Sequence, residues 1–407
     1  MVKTAGNPGS AFFWVLCIMG LFAILSSTMA KNPVLNPFAK SLGTPEPLMG
    51  VVAAASTIPG ILVSLPAGSL SDIFGRRKVL LASSIVFASA PFLYLLIVSW
   101  WQLILVRFYH GFATAIFIPV ANAAIAEQFP MKKGERISTF SSATTIGRSI
   151  APFLGGYIRF ATSYNYQELY VAVGIAGILA LFVAPIFLRA KSEKPSAHAS
   201  PKTTGKGGIS MIFRNWKRVA GNRGVIIVGI IEAAQYYTFG AVEFFLVGYL
   251  KDVAKLDPFS IGIISGAQLV MIPIAKPFMG RLSDRVGRRI PIVTGAVIGG
   301  LFLILIPFVT DFPVLLLISV AYGLGFSLVT SSTPALVGDL VHKELYGTAM
   351  GFLATIMDVG QTLGPIITGL IIAISATYTS PFAVLAGILL TSCAVFLASR
   401  VAKANSI

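Results

Sequence analysis

Seven ionisable side chains, Lys31, Arg107, Arg148, Glu232, Glu243, Lys276 and Asp358, interrupt stretches of this 407-residue chain that are otherwise apolar. A charge at the centre of a bilayer costs roughly 2.5 to 3.5 kcal/mol, so such groups persist only where they pair, meet water or do chemistry. The chemistry open to them is the binding of charged solutes and the uptake and release of protons. Glu232 and Asp358 are the candidate proton carriers; the alternative for either is a hydrogen bond that ties neighbouring helices together. Glu232, Gln235 and Tyr236 share one helical face, and Glu243, eleven residues after Glu232, continues it as a polar stripe. The distribution is lopsided, with Lys31, Arg107 and Arg148 early in the chain and the three acids late. A cavity between the two halves would then have one basic and one acidic wall. Lys276 lies close to the end of its run, from which its ammonium can reach the interface.

The elements that must position these groups are helices of bilayer length. About 20 apolar residues cross the hydrocarbon core, and twelve such runs are present, near residues 11–42, 46–70, 79–99, 102–126, 137–160, 166–188, 224–250, 259–280, 290–309, 313–338, 347–374 and 380–400. Numbered in this order as spans 1 to 12, they predict an all-α polytopic membrane protein, with a kink in span 1 at Pro33 and Pro37. A composition of 56% hydrophobic and 11% charged residues excludes a soluble globular fold. The net charge of +16 is not a nucleic-acid signature, because the basic residues collect in short loops between apolar runs. Cys17 and Cys393 lie within apolar runs and offer neither a disulfide framework nor a metal site. No G-x-x-x-x-G-K-[ST] cradle is present, which argues against direct use of ATP. Span 1 reads as a retained helix and not a signal peptide.

Residues 190–222 read as a linker joining an N-terminal six-helix bundle, 1–189, to a C-terminal one, 223–407. Within it, 209–219 has Ile212, Phe213 and Trp216 on one side and Arg214, Lys217 and Arg218 on the other. That pattern fits a helix on the membrane surface or a flexible tether equally. Outside the spans, only Lys40, Arg159, Lys251 and Lys255 fall on one side of the membrane; every other Lys and Arg falls on the side holding both termini. The positive-inside rule makes that side cytoplasmic.

The chain is doubled. Gly68-Ser-Leu-Ser-Asp72-Ile-Phe-Gly75-Arg76-Arg77-Lys78, after span 2, returns 212 positions later as Gly280-Arg-Leu-Ser-Asp284-Arg-Val-Gly287-Arg288-Arg289-Ile290, after span 8. Each copy reads as a short polar turn between two spans. This loop resembles the signature loop of the major facilitator superfamily of secondary transporters. The resemblance implies two pseudo-symmetric six-helix bundles, and it makes the loop's acid and arginines a cytoplasmic charge lock on one access state. Lys31 and Glu243 each lie 37 residues before the first glycine of their copy, so they occupy equivalent positions in spans 1 and 7. In this family those helices approach each other on the outer side. A pair that forms there when the outer side closes is expected, against separate interfacial positions for the two side chains.

Two helix motifs extend the resemblance. Arg107-Phe-Tyr-His110-Gly111 in span 4 is similar to the R-x-x-x-G motif of proton-coupled members, whose arginine faces the cavity. His110 stands where that motif often has glutamine, and can serve either as a titrating group or as a packing donor. Gly147-Arg148-Ser-Ile-Ala151-Pro152-Phe-Leu-Gly155-Gly156 in span 5 is similar to the antiporter motif, with Ala151 in place of one glycine and a charge inserted at Arg148. Span 11 carries Gly360, Gly364, Pro365 and Gly369 at matching spacing. Small residues so spaced let helices cross closely.

The whole chain most resembles the twelve-helix drug:proton antiporters. The resemblance implies a multi-pass protein of the cytoplasmic (inner) membrane, not an enzyme, expected to act as a monomer. It would need no cofactor beyond a proton gradient and would export small organic molecules. The nearest alternative is a proton-coupled uptake symporter for an organic anion, suggested by Lys31, Arg107 and Arg148. A membrane sensor or lipid-handling protein is the alternative from another class.

Overall fold

A computed structural model describes residues 8–63, 71, 74–129, 133–189, 214–342, 345–399 and 401. Gly68, Asp72 and most of the linker, with Ile212 and Phe213, lie outside the described residues. The spans are Pro8–Met29, Glu46–Val63, Arg76–Tyr94, Trp100–Gln128, Lys133–Ala161, Tyr166–Arg189, Arg223–Asp252, Pro258–Val286, Arg289–Leu305, Phe312–Leu340, Tyr346–Ser375 and Thr379–Ala398. Eleven are long and apolar enough to cross a bilayer. The remaining one, span 5, is helical throughout but carries Glu135, Arg136, Arg148 and Arg159. The fold is the expected all-helical, twelve-span one.

Local chemistry sets the ends. Asn222 caps span 7 by accepting from the amides of Gly224 and Val225. Asp257 caps span 8 through Phe259 and Ser260, with Pro258 in the first turn where no amide donor is needed. Ser99 and Gln102 form a capping box on span 4. Span 1 breaks over residues 30–34, around Pro33, and resumes as Leu35–Ser41, which accommodates Pro37 in its first turn. The second signature copy is less of a loop than its composition predicts. Span 8 runs through Gly280 and Asp284 to Val286, because nothing in that stretch stops a helix before Gly287, whose φ is +85°. Gly75, at +87°, makes the same turn in the first copy.

Span 2 holds a second break. Its first segment ends at Ala54, a turn occupies 55–57, and helix resumes at 58. The cause is Pro59, whose ring clashes with the carbonyl four residues earlier and supplies no amide donor.

Each half has its own apolar core: Phe13, Phe87, Phe117 and Phe140 in the first, Tyr249, Leu303, Tyr322 and Phe382 in the second. A third cluster crosses between them, packing Met49 and Val52 of span 2 against Phe244 and Phe245 of span 7 and Ile372 of span 11. Of the linker, residues 214–220 are helical, and Trp216 seats its ring edge-on to Phe352 of span 11. The described part of the linker is thus a docked helix with Arg214, Lys217 and Arg218 exposed.

Candidate functional site

Close contacts between the halves run along two helix pairs. A methyl group on Gly50 of span 2 would lie 2.0 Å from the carbonyl oxygen of Pro365 in span 11; one on Gly262 of span 8 would lie 2.6 Å from that of Pro152 in span 5. These contacts are related by the chain's internal repeat, as are two nearer the middle. Thr57 and Thr362 share a hydrogen bond of 2.8 Å, and Ser149 donates to the Leu269 carbonyl at 3.5 Å. Small residues allow backbone against backbone here, which no larger side chain would permit.

Ionic contacts complete the closure at that end. Lys31 donates to Glu243, both largely buried. Lys40 donates to Asp252 at 2.5 Å, where Tyr378 also donates at 2.9 Å. These hydrogen bonds and ion pairs between the halves all lie at Thr57 and Ser149 or farther from the basic loops. The space between the halves is therefore sealed at that end.

Arg148 and Asp358 face that space. Along span 5, Ile146, Ile150, Leu154 and Tyr157 form the exposed apolar stripe that suits lipid. Arg148, also exposed, projects from the opposite side, between the face where Gly147 meets span 1 and the face where Pro152 and Gly156 meet span 8. Along span 11 the lipid-facing stripe is Val359, Leu363, Ile367 and Leu370. Asp358, partly exposed, lies one turn from Thr362 on the inward side. Neither charge has a hydrogen-bond or ion-pair partner among the described residues. Both come within electrostatic reach of Tyr236 on span 7, whose ring packs against Phe239 and Phe326.

The remaining candidates are more enclosed. Glu232 is fully buried; one carboxylate oxygen accepts from Thr333 of span 10 at 2.6 Å and the other has no partner among the described residues. Gln235, one turn on, is buried with both amide atoms unpartnered, as is the Ser332 hydroxyl beside Thr333. Lys276 of span 8 is within electrostatic reach of both Glu232 and Arg148. His110 packs edge-on to Phe87 and Tyr94, with the Tyr94 hydroxyl 3.5 Å from its Nδ1, and is a packing group here.

Arg107 departs from what its motif implies. Instead of lining the cavity it is 2% exposed, and its guanidinium donates to the carbonyls of Val52 and Ala53 and to the Ser56 hydroxyl. Those carbonyls lost their helical donors, the amides of Ser56 and Thr57, at the break in span 2, and Arg107 supplies hydrogen bonds in their place. Gly111, one turn further along span 4, makes the close approach possible: a methyl there would meet the Ser56 carbonyl at 2.3 Å. Pro59 was the sequence signal for this role.

On the basic-loop side, Arg288 donates to Asp284 and, at 3.4 Å, to Asp339 at the end of span 10. Its repeat equivalent, Arg76, donates to Glu127 at the end of span 4 at 2.7 Å and to Ser71 at 2.7 Å. Arg289 instead donates to the Leu397 carbonyl at the end of span 12. Glu127, Asp339, Lys40 and Asp252 are contributors that the reading of the loops alone did not include. The fixed repeat spacing was the signal that could have found them. Among the described residues no cluster of His, Cys, Asp and Glu could hold a metal.

Comparison with known proteins accords with this architecture. A multidrug resistance protein, MdtG, of Escherichia coli strain SMS-3-5 is 26% identical over 348 residues, 84% of this chain and 81% of the relative. An MFS-type transporter, MJ1560, of Methanocaldococcus jannaschii is 23% identical over 363 residues, 88% and 92% of the two chains. Among solved structures, a bacterial homologue of the human lysosomal transporter Spinster superposes with a TM-score of 0.83 at 16% identity, over 98% of each chain. The sequence profile of the Major Facilitator Superfamily matches residues 16–257 and 226–406. The chain belongs to the Major Facilitator Superfamily, as a multi-pass membrane transporter and not an enzyme.

Proposed function

We infer that this transporter exports small organic molecules in exchange for protons, exposing one central cavity to the two sides of the cytoplasmic (inner) membrane in turn. The observation that carries the reading is the closure away from the basic loops, where repeat-related glycine contacts and two ion pairs hold the halves together. The positive-inside rule makes the basic-loop end cytoplasmic, so the cavity opens inward. The Spinster homologue is described as inward-facing, which accords with this. In the outward-open state the seal parts and the halves close instead on the cytoplasmic side. Arg76 with Glu127, and Arg288 with Asp284 and Asp339, hold the loop ends of each half rigid during that movement.

Glu232 is the group assigned to the proton. It is enclosed, held by Thr333 through one oxygen, and has the other free to carry hydrogen. Asp358 is the second carrier or the partner of a cationic substrate. The multidrug relative supports export of drug-like molecules. One monomer holds the whole cavity, and a proton gradient supplies the energy without a cofactor. Uptake of an organic anion with protons is a second reading, favoured by the unpaired Arg148.

Proteoliposomes holding a pH-sensitive dye test the reading under an imposed proton gradient, with ethidium and benzoate added in turn. Proton release on addition of ethidium, abolished in Glu232→Gln, is the expected result. Proton movement only with benzoate, lost in Arg148→Ala, would replace export by anion uptake.

A further inference from the structure

The cavity carries one unpaired charge of each sign, on opposite walls. Arg148 comes from the first half and Asp358 from the second; each lies inward of its helix's lipid-facing stripe, and each has no partner among the described residues. Every other charge that reaches this space has an opposite charge nearby. Lys31 is bonded to Glu243, and Lys276 lies within electrostatic reach of Glu232. The aromatic group of Tyr236, Phe239 and Phe326 stands beside the cavity, with Tyr236 within electrostatic reach of both Arg148 and Asp358.

An unpaired guanidinium in a cavity of low dielectric attracts a carboxylate or similar anion, and an unpaired carboxylate attracts an ammonium. A ligand with only one of these groups satisfies one wall and leaves the other charge desolvated and unmatched. We propose that the transported substrate is a zwitterion: a small molecule with an apolar or aromatic body, an anionic group bound by Arg148 and a cationic group bound by Asp358. This rests on the transport reading above and narrows its substrate class between the cation and the anion.

The test uses matched probes. Phenylalanine and the dipeptide phenylalanylphenylalanine are each taken as the zwitterion, as the methyl ester, which is only cationic, and as the N-acetyl derivative, which is only anionic. Equilibrium binding to the purified protein in nanodiscs is followed by tryptophan fluorescence, without any gradient. The zwitterion of at least one set is expected to bind about tenfold or more tightly than either singly charged form. Arg148→Gln should weaken the zwitterion and the N-acetyl form to a similar degree and spare the ester; Asp358→Asn should do the reverse. Both positions face open space, and thermal unfolding checks that each variant folds. Singly charged forms binding as well as the zwitterion, or no binding by any of the six, overturns the proposal. Counterflow of the same probes in proteoliposomes separates the two inferences. Zwitterion binding without counterflow supports the charge assignment and removes the transport reading, whereas counterflow of singly charged forms alone removes the zwitterion and keeps transport.

Discussion

Lys40 and Asp252 form an ion pair across the two halves and are separated by 212 positions, the repeat distance of the chain. Lys31 and Glu243 have the same separation and the same relationship. Asn36 and Gly248 share it too, and a methyl on Gly248 would lie 3.0 Å from the Asn36 amide. Residues that meet their own repeat equivalents must lie beside the pseudo-twofold axis. Two identical halves would place lysine against lysine or acid against acid at these points. The two halves differ in charge where the axis runs, and that difference turns repulsion into closure.

The two pairs should respond differently to mutation and salt. Lys31 and Glu243 are 16% and 8% exposed, so reversing one charge leaves two like charges facing each other in a poorly hydrated place. Lys31→Glu or Glu243→Lys alone should reduce counterflow about tenfold or more, and the double reversal should restore most of it. Lys40 and Asp252 are about one-third exposed, and a pair of that kind is worth roughly 0 to 1 kcal/mol. Asp252→Asn should therefore cost at most about fivefold, with the difference disappearing in about 0.5 M salt. A double reversal at positions 31 and 243 that recovers no transport would remove the pair from the closure.

The glycine contacts predict a population shift and not unfolding. Alanine at Gly156 would bring its methyl to 2.5 Å from the Pro258 carbonyl, and at Gly50 to 2.0 Å from that of Pro365, so the halves could not close at the sealed end. Both variants should raise labelling of cysteines introduced on the outer cavity wall by an impermeant thiol reagent, several-fold over the parent. Gly280 has nothing within 4 Å of such a methyl and sits in a helix, so Gly280→Ala should leave labelling unchanged. Equal labelling in all three variants would show that these crossings do not set access.

Arg107 makes a prediction about stability. Its guanidinium supplies donors to three acceptors at the break in span 2. Arg107→Gln leaves at least one buried carbonyl without a partner, at a cost of about 1 to 3 kcal/mol. Thermal unfolding in detergent should show that loss, and Pro59→Ala combined with Arg107→Gln should recover part of it by letting the backbone bond itself. An unchanged melting temperature in Arg107→Gln would place the guanidinium's value elsewhere.

The architecture was legible because spans of bilayer length and a motif repeated at one fixed interval survive in composition and spacing alone. The pairing of Lys31 with Glu243 was legible for the same reason, since equal distances from equivalent glycines place two residues at equivalent depths. What a helix faces was not. Arg107 carries a motif that implies a cavity, yet its environment depends on a helix break that Pro59 creates in a different span. Glu232 and Asp358 look alike as intramembrane acids, but Thr333 encloses one while the other faces open space, and a partner 101 residues away leaves no local trace. The signature loop was misjudged in length because polarity marks an interface with water, whereas a helix ends only where the backbone must turn, at Gly287.

Asp257 gives a pH-dependent prediction at the sealed end. Burial alone would raise its pKa, but the hydrogen bonds it accepts from Ser260 and Phe259 outweigh this and hold the carboxyl below its ordinary value. A depressed carboxylate stabilises the fold above the pKa it has in the unfolded chain, and that stability is lost as pH falls through the lower folded value. Span 8 begins at this cap, and its first residue, Pro258, forms the contact with Gly156. Asp257→Ala should cost about 1 kcal/mol at neutral pH, the usual value of an N-cap. The gap between the variant and the parent should narrow below about pH 4, as first the unfolded chain's carboxylate and then the cap itself take up a proton. Unfolding in urea at pH 7 and pH 3.5 measures both. A gap that stays constant between the two would mean that the cap acts through shape and not through charge.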